Sequence, residues 1–306
     1  VTIDWRYRWL RAQLWWLARR RPPATLETTL AARDLFEDAG TLIGIPVGAT
    51  VEPADADGVP VEWMRVADSA PDRNLMYIHG GAYVMGSVNA SRNMLHILLQ
   101  RTQATGFNVD YRLAPEHPFP AGLEDCVTAY AWLLSTGIDP QRIAVAGDSA
   151  GGGLVAGMLV AARDRGLPMP ACAAITSAWA DLALAGRSYE ERARRDPALS
   201  VQSLQLSADL YLDGQDPSQP LASPVNADLH GLPPLLVMVG TDEVVFDDSI
   251  RIAERARAAG VPVDLVIGEG MIHCWTGYVG KIRQAEVDLE HLGQFVRDHI
   301  PSCAPV

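Results

Sequence analysis

The 306-residue chain lacks several things that would define its class at once. No run of predominantly apolar residues reaches the roughly 20 needed to cross a bilayer, so no stable membrane insertion is expected. Cysteine is scarce. The four residues Cys126, Cys172, Cys274 and Cys303 form no C-x-x-C pair and have no zinc-like spacing. A disulfide framework and a structural zinc site are therefore not expected, and reduced thiols are the simpler reading. Net positive charge is absent too. With 25 basic and 37 acidic side chains the formal charge is −12, which argues against a general nucleic-acid binder. The first residues lack the charged, apolar and small-residue order of a secretory signal, and a cytoplasmic location is expected. Low-complexity tracts and internal repeats are missing. A hydrophobic content of 48% with 20% charged residues is that of a globular, core-forming chain.

The N-terminal 40 residues read as helix, interrupted at Pro22-Pro23. Trp5, Trp9, Leu10, Leu14 and Leu17 recur at helical spacing. The same segment carries Arg6, Arg8, Arg11, Arg19, Arg20 and Arg21 against one Asp4. Such a basic aromatic helix could lie on a membrane surface. The expected arrangement instead packs its tryptophans against the rest of the protein.

From residue 46 the pattern changes. Two strands are expected at residues 47–52 and 59–66, joined by the turn-rich residues 55–58. Short apolar runs follow at 75–78, 106–111, 143–146, 171–177, 235–239 and 263–267. Helical patterns lie at 91–102, 123–135, 150–164, 247–259 and 284–299. Continuous apolar strands alternating with helices imply an α/β protein with a mostly parallel sheet covered on both faces. Residues 181–223 are too long for one crossover and read as an insertion over one end of the sheet.

Gly147-Asp148-Ser149-Ala150-Gly151 sits between an expected strand and an expected helix. G-x-S-x-G alone is a weak signal, but at a strand-to-helix turn it is the context of a nucleophile elbow. His79-Gly80-Gly81-Ala82-Tyr83 follows the strand at 75–78. Glycines there let backbone N–H groups approach a ligand, as stabilisation of an acyl-transfer oxyanion requires. The expected donors are the N–H groups of Gly81, Ala82 and Ala150. His79 itself is expected to brace the loop.

A serine hydroxyl needs a base. Of the seven histidines, His96, His291 and His299 fall in expected helices, His117 in a proline-rich loop and His230 before a Gly-Leu-Pro-Pro turn. His273 alone follows a late strand through a short glycine-containing loop, at the edge where Ser149 would stand. The third member should orient the imidazole. Asp242 is the expected residue, directly after the strand at 235–239, with Glu243 its nearest competitor. Asp247 and Asp248 read as the N-cap and first turn of the next helix. The chain order Ser149, Asp242, His273 is that of α/β-hydrolases.

Together with Asp110-Tyr111-Arg112-Leu113-Ala114-Pro115-Glu116, these motifs resemble the hormone-sensitive-lipase-like branch of the α/β-hydrolases, the bacterial carboxylesterases. The resemblance runs from about residue 75 to the C-terminal helix and is weaker before it. Residues 177–181 and 221–228 resemble especially the monoterpene-lactone-hydrolase-like members. Ala82 replaces the more usual third glycine, and Cys274-Trp275 follows the histidine where a smaller residue is common. The resemblance implies an α/β-hydrolase fold with an eight-stranded, mostly parallel sheet. Its helical cap would come from residues 1–45 and 181–223, and its core from 46–180 and 224–306. It implies a serine esterase acting through an acyl-enzyme on a small-molecule ester, with no metal or organic cofactor, and it allows a homodimer. Trp5, Trp9, Trp15 and Trp16 suggest a small apolar pocket and hence short acyl chains, with lactones as the alternative substrate. A non-catalytic ligand-binding relative would typically lose the histidine, which is present here.

Overall fold

The computed structural model describes residues 5–302, so Asp4 and Cys303 lie outside the described residues. Eight strands form one sheet: β1 (Ala49–Ala56), β2 (Val59–Val66), β3 (Asn74–Ile78), β4 (Thr105–Val109), β5 (Ile143–Asp148), β6 (Cys172–Thr176), β7 (Leu235–Gly240) and β8 (Val263–Gly268). Their spatial order is β1-β2-β4-β3-β5-β6-β7-β8. The first two pair as a hairpin, and β2 runs antiparallel to β4. All remaining pairs are parallel. The hairpin turns at Asp57-Gly58, both at positive φ, the conformation that tight hairpin loops demand and that Asp-Gly supplies.

Strand side chains alternate between two cores, as the twofold period of a strand requires. Met76 and Ile78 of β3, with Ile143 and Val145 of β5, face one core. That core is closed by α4 (Ala121–Ser135), α5 (Ala150–Asp164) and α8 (Phe246–Ala258). Leu75 and Tyr77, with Ala144 and Ala146, face the other. It is closed by α3 (Val88–Thr102) and α9 (Arg283–His299). Burial on both faces explains why the central strands are apolar throughout rather than alternating.

Outside this frame lie α1 (Trp5–Ala18) and α2 (Leu26–Ile43), broken at Pro22-Pro23 and restarted by a Thr25 capping box. Between β6 and β7 lie the short α6 (Ser188–Glu191) and α7 (Val201–Leu212). Helix α1 departs from the expected packing. It buries Tyr7 and Leu10, while Trp5, Trp9 and Trp16 are 71%, 63% and 55% exposed. Apolar residues occur on two faces of this helix, and the aliphatic and tyrosine face won the core. Asp247 is not an N-cap either. Helix α8 begins at Phe246, and Asp247 accepts a hydrogen bond from Ser188 N instead. Among the described residues no helix is long and apolar enough to cross a membrane. Cys126, Cys172 and Cys274 are free thiols.

Candidate active site

Strand β5 delivers Ser149 into a turn of φ 54° and ψ −122°, after which α5 starts at Ala150. Such a backbone costs energy for any residue with a Cβ, and the surroundings must hold it. The flanking glycines allow this close approach. A Cβ on Gly147 would lie 2.6 Å from Gly151 O and 2.8 Å from Ile78 O, and one on Gly151 would lie 2.1 Å from Ile78 O. Ser149 N donates to Thr176 O at 2.9 Å, and its own carbonyl accepts from Trp179 N at 2.9 Å, fixing the turn to the end of β6.

The loop after β8 brings His273 to this serine. The Ser149 hydroxyl and His273 Nε2 are 2.9 Å apart. On the other side of the ring, Nδ1–H donates to Glu243 Oε2 at 2.9 Å. Here the expectation from sequence is corrected: the acid on the imidazole is Glu243, not Asp242. Asp242 carries its carboxylate to Arg11 of α1 in an ion pair. The tight turn after β7 makes the choice. Glu243 N donates to Gly240 O at 3.2 Å, and Glu243 Oε1 accepts from Gly240 N at 2.5 Å. The glutamate side chain thus folds back over its own turn, and its extra methylene spans the distance to the ring. Ser177 Oγ also donates to Oε1, at 2.9 Å. Glu243 is fully buried.

Burial pushes the Glu243 carboxyl up, against the His273 hydrogen bond that favours its ionised form. For His273 burial disfavours the imidazolium, yet the balance lies above the ordinary histidine value. Burial also holds the Cys274 thiol up at about 11. The upward push on His273 comes from its neighbours, Cys274 first and then the hydrogen bond and charge of Glu243.

The loop after β3 lies across from this line. Gly80 sits so close that a Cβ there would meet Asp148 Oδ2 at 2.6 Å and Ser149 Cβ at 3.1 Å. Gly81 and Ala82 follow at φ 127° and 54°, and both line the cavity that contains Ser149. His79 does not reach the serine by any hydrogen bond. Its Nδ1–H donates to Gly80 O at 2.7 Å, and its ring stacks on Tyr111 with centroids 4.3 Å apart. Tyr111 in turn donates to His79 O at 2.9 Å. The Tyr111–Glu116 stretch thus buttresses this glycine loop. Arg33 of α2 adds to the brace, with Nε donating to Val84 O at 2.6 Å and its guanidinium paired to Glu116.

The cavity at Ser149 has a volume of about 610 Å³. Its outer wall is Phe36 and Ile43 from α2, Met94 and Ile97 from α3, and Leu199 ahead of α7. The tryptophans of α1 do not line it; Trp15 borders a different cavity, with residues of α7. Tyr7 and Arg11 instead fasten α1 to the loop before His273, with Tyr7 Oη donating to Gly270 O at 2.6 Å. Among the described residues no group of three or more histidine, cysteine or acidic side chains could hold a metal ion.

The serine on a strand-to-helix elbow, with histidine and carboxylate from later loops of the same sheet edge, defines a class of hydrolase. The chain belongs to the α/β-hydrolase-fold family, which matches it over residues 75–277, and within it to the hormone-sensitive-lipase-like branch of carboxylic ester hydrolases. It is 40% identical to an acetyl-hydrolase of Streptomyces hygroscopicus over 89% of this chain and 90% of that protein. The crystal structure of an esterase/lipase from an uncultured bacterium superimposes with a TM-score of 0.89 at 41% identity, covering 95% of this chain and 98% of that one. An esterase from the bacterial hormone-sensitive lipase family superimposes with a TM-score of 0.91 at 38% identity, covering 98% and 100%.

Proposed function

We propose that the protein hydrolyses small esters of short acyl chains through a Ser149–His273–Glu243 triad and a covalent acyl-enzyme. The observation that carries this reading is the continuous line of hydrogen bonds, 2.9 Å at each step, from the Ser149 hydroxyl through the ring of His273 to Glu243. His273 Nε2 takes the hydroxyl proton as Ser149 Oγ attacks the ester carbonyl. Glu243 fixes the tautomer and stabilises the imidazolium. The N–H groups of Gly81, Ala82 and Ala150 receive the oxyanion, and α5 beneath Ala150 presents its positive end. The imidazolium then protonates the leaving alkoxide. Water, deprotonated by the same nitrogen, attacks the acyl-enzyme, and the imidazolium returns that proton to Ser149 Oγ as the acyl–oxygen bond breaks and the acid leaves. No step needs a metal or organic cofactor. Residues 1–45 and 181–223 act as the cap, a role supported by Phe36, Ile43 and Leu199 in the cavity wall. The apolar, bounded wall favours short acyl groups.

The test is a panel of p-nitrophenyl acetate, butyrate, octanoate and palmitate with a lactone alongside. Acetate and butyrate should turn over fastest; a preference for palmitate overturns the chain-length assignment, and a preference for the lactone favours ring opening as the reaction. Ser149→Ala should fold, lose the acylation burst and drop kcat by about 10⁴-fold or more. Turnover at the wild-type rate by that variant overturns the triad.

A further inference from the structure

We propose that the outward face of α1, which does not line the Ser149 cavity, is a docking surface for an anionic lipid membrane. Among the described residues thirteen large hydrophobic side chains are exposed, and four of them, Trp5, Trp9, Trp16 and Leu17, lie on the 14 residues of α1. Isolated exposed hydrophobics are ordinary, whereas their confinement to one part of a chain marks an interaction surface.

Within α1 the pattern is ordered. At 100° per residue, Trp5, Trp9, Ala12 and Trp16 form a single stripe at i, i+4, i+7 and i+11. Tyr7 and Leu10 point the other way, into the protein. Arg8 falls on one side of the stripe and Arg6 on the other, and Arg19 and Arg20 follow directly after the helix ends at Ala18. No acidic residue occurs from Trp5 to Arg21. The Arg20 guanidinium lies 3.7 Å over the Trp16 ring. Trp5 and Trp9 also wall a groove of about 390 Å³ shared with Arg6 and Lys281. Tryptophan flanked by arginine suits the boundary between headgroups and acyl chains, where the indole is half wetted and the guanidinium meets phosphate.

Charge selects the occupant. In a twofold dimer built on this stripe, arginine would face arginine, because such an interface is self-complementary. An anionic bilayer offers the opposite sign. The chain's overall charge of −12 would repel the remaining surface, so attachment should be confined to this helix.

The experiment is flotation of the full chain with vesicles of phosphatidylcholine alone and with about one third phosphatidylglycerol, at about 50 and about 500 mM salt. Binding is expected only to the phosphatidylglycerol vesicles at low salt, with a blue shift of tryptophan fluorescence. Replacing Arg8, Arg19 and Arg20 together by Gln should weaken partitioning by about 100-fold, roughly fivefold per charge. Replacing Trp5, Trp9 and Trp16 together by Ala should abolish it. Both variants should hydrolyse soluble p-nitrophenyl acetate at the wild-type rate, which separates loss of docking from loss of folding. Flotation needs no turnover, so its outcome is independent of the esterase reading. Absence of flotation, flotation indifferent to phosphatidylglycerol, or flotation retained by the tryptophan variant each overturns the proposal. So does a wild-type dimer in solution that the tryptophan variant converts to monomer without any lipid binding.

Discussion

Glu243 Oε2 lies 2.9 Å from His273 Nδ1, while the neighbouring Asp242 is paired to Arg11 of the N-terminal helix. Two adjacent carboxylates therefore have separate partners, and substitution should tell them apart. Glu243→Gln keeps the side-chain shape but replaces the anion that stabilises the imidazolium. Its kcat should fall by about 10²–10⁴-fold. Asp242→Asn loses one side of a partly exposed ion pair and should lower kcat by less than about tenfold. Steady-state kinetics on p-nitrophenyl acetate decides; equal losses, or the reverse order, would return the orienting role to Asp242.

The same pair sets the pH dependence. His273 works as a base only when neutral, and its imidazolium is stabilised above the ordinary histidine value. The acid limb of kcat/KM should therefore lie above the usual pH of about 6.5. In Glu243→Gln the stabilising charge is gone while burial remains, so the limb should move to lower pH even as the rate drops. A wild-type limb below pH 6, or one that stays in place in the variant, contradicts this account.

The elbow makes a stability prediction. A methyl group on Gly151 would lie 2.1 Å from Ile78 O and 2.5 Å from His79 O, both backbone atoms that cannot rotate away. Gly151→Ala should destabilise the protein by about 3 kcal/mol or more and remove activity, since relief requires β3 and α5 to separate. Gly277→Ala is the control. Nothing lies within 4 Å of its Cβ position, and its stability should change by no more than about 0.5 kcal/mol. Thermal unfolding of the two variants gives the comparison.

The five strands β3–β7 could be read from the sequence because each is buried on both faces, which writes a largely apolar run into the chain, whereas β1, expected at 47–52, has alternating exposure and runs on to Ala56. The elbow was legible because Gly147 and Gly151 are required by contacts local to one turn. The acid was not, because Asp242 and Glu243 both follow β7, and either fits the chain order. What separates them is spatial: the fold-back of Glu243 onto Gly240 N, and Arg11 arriving from 231 residues away to engage Asp242. The sequence signal for Glu243 is the glycine three residues before it: a Cβ on Gly240 would lie 3.0 Å from Glu243 Oε1, so only glycine leaves room for the long carboxylate to fold inward. The tryptophans of α1 misled for a related reason. Periodicity gives two apolar faces on that helix and does not say which one meets the protein. Ser177 carries no local sequence signal, since its partners come from the turns after β7 and β8.

Ser177 supplies the last test. Its Oγ donates to Glu243 Oε1 at 2.9 Å and accepts from Cys274 N at 3.1 Å, joining the acid to the backbone beside the imidazole. It touches neither the ring of His273 nor the reacting atoms through a hydrogen bond, so it is a positioning residue. Ser177→Ala takes a donor from a buried carboxylate and leaves a backbone N–H short of a partner. Hydrogen bonds to charged groups contribute about 1.5–3 kcal/mol, which predicts a kcat loss of about 10–100-fold with little change in KM. The variant should also move the acid limb upward. With one donor fewer, the Glu243 carboxylate is more basic and holds the imidazolium more strongly. General loosening of the fold would lower the melting temperature and kcat without moving that limb. A pH–rate profile unchanged in position would therefore reduce Ser177 to a packing role.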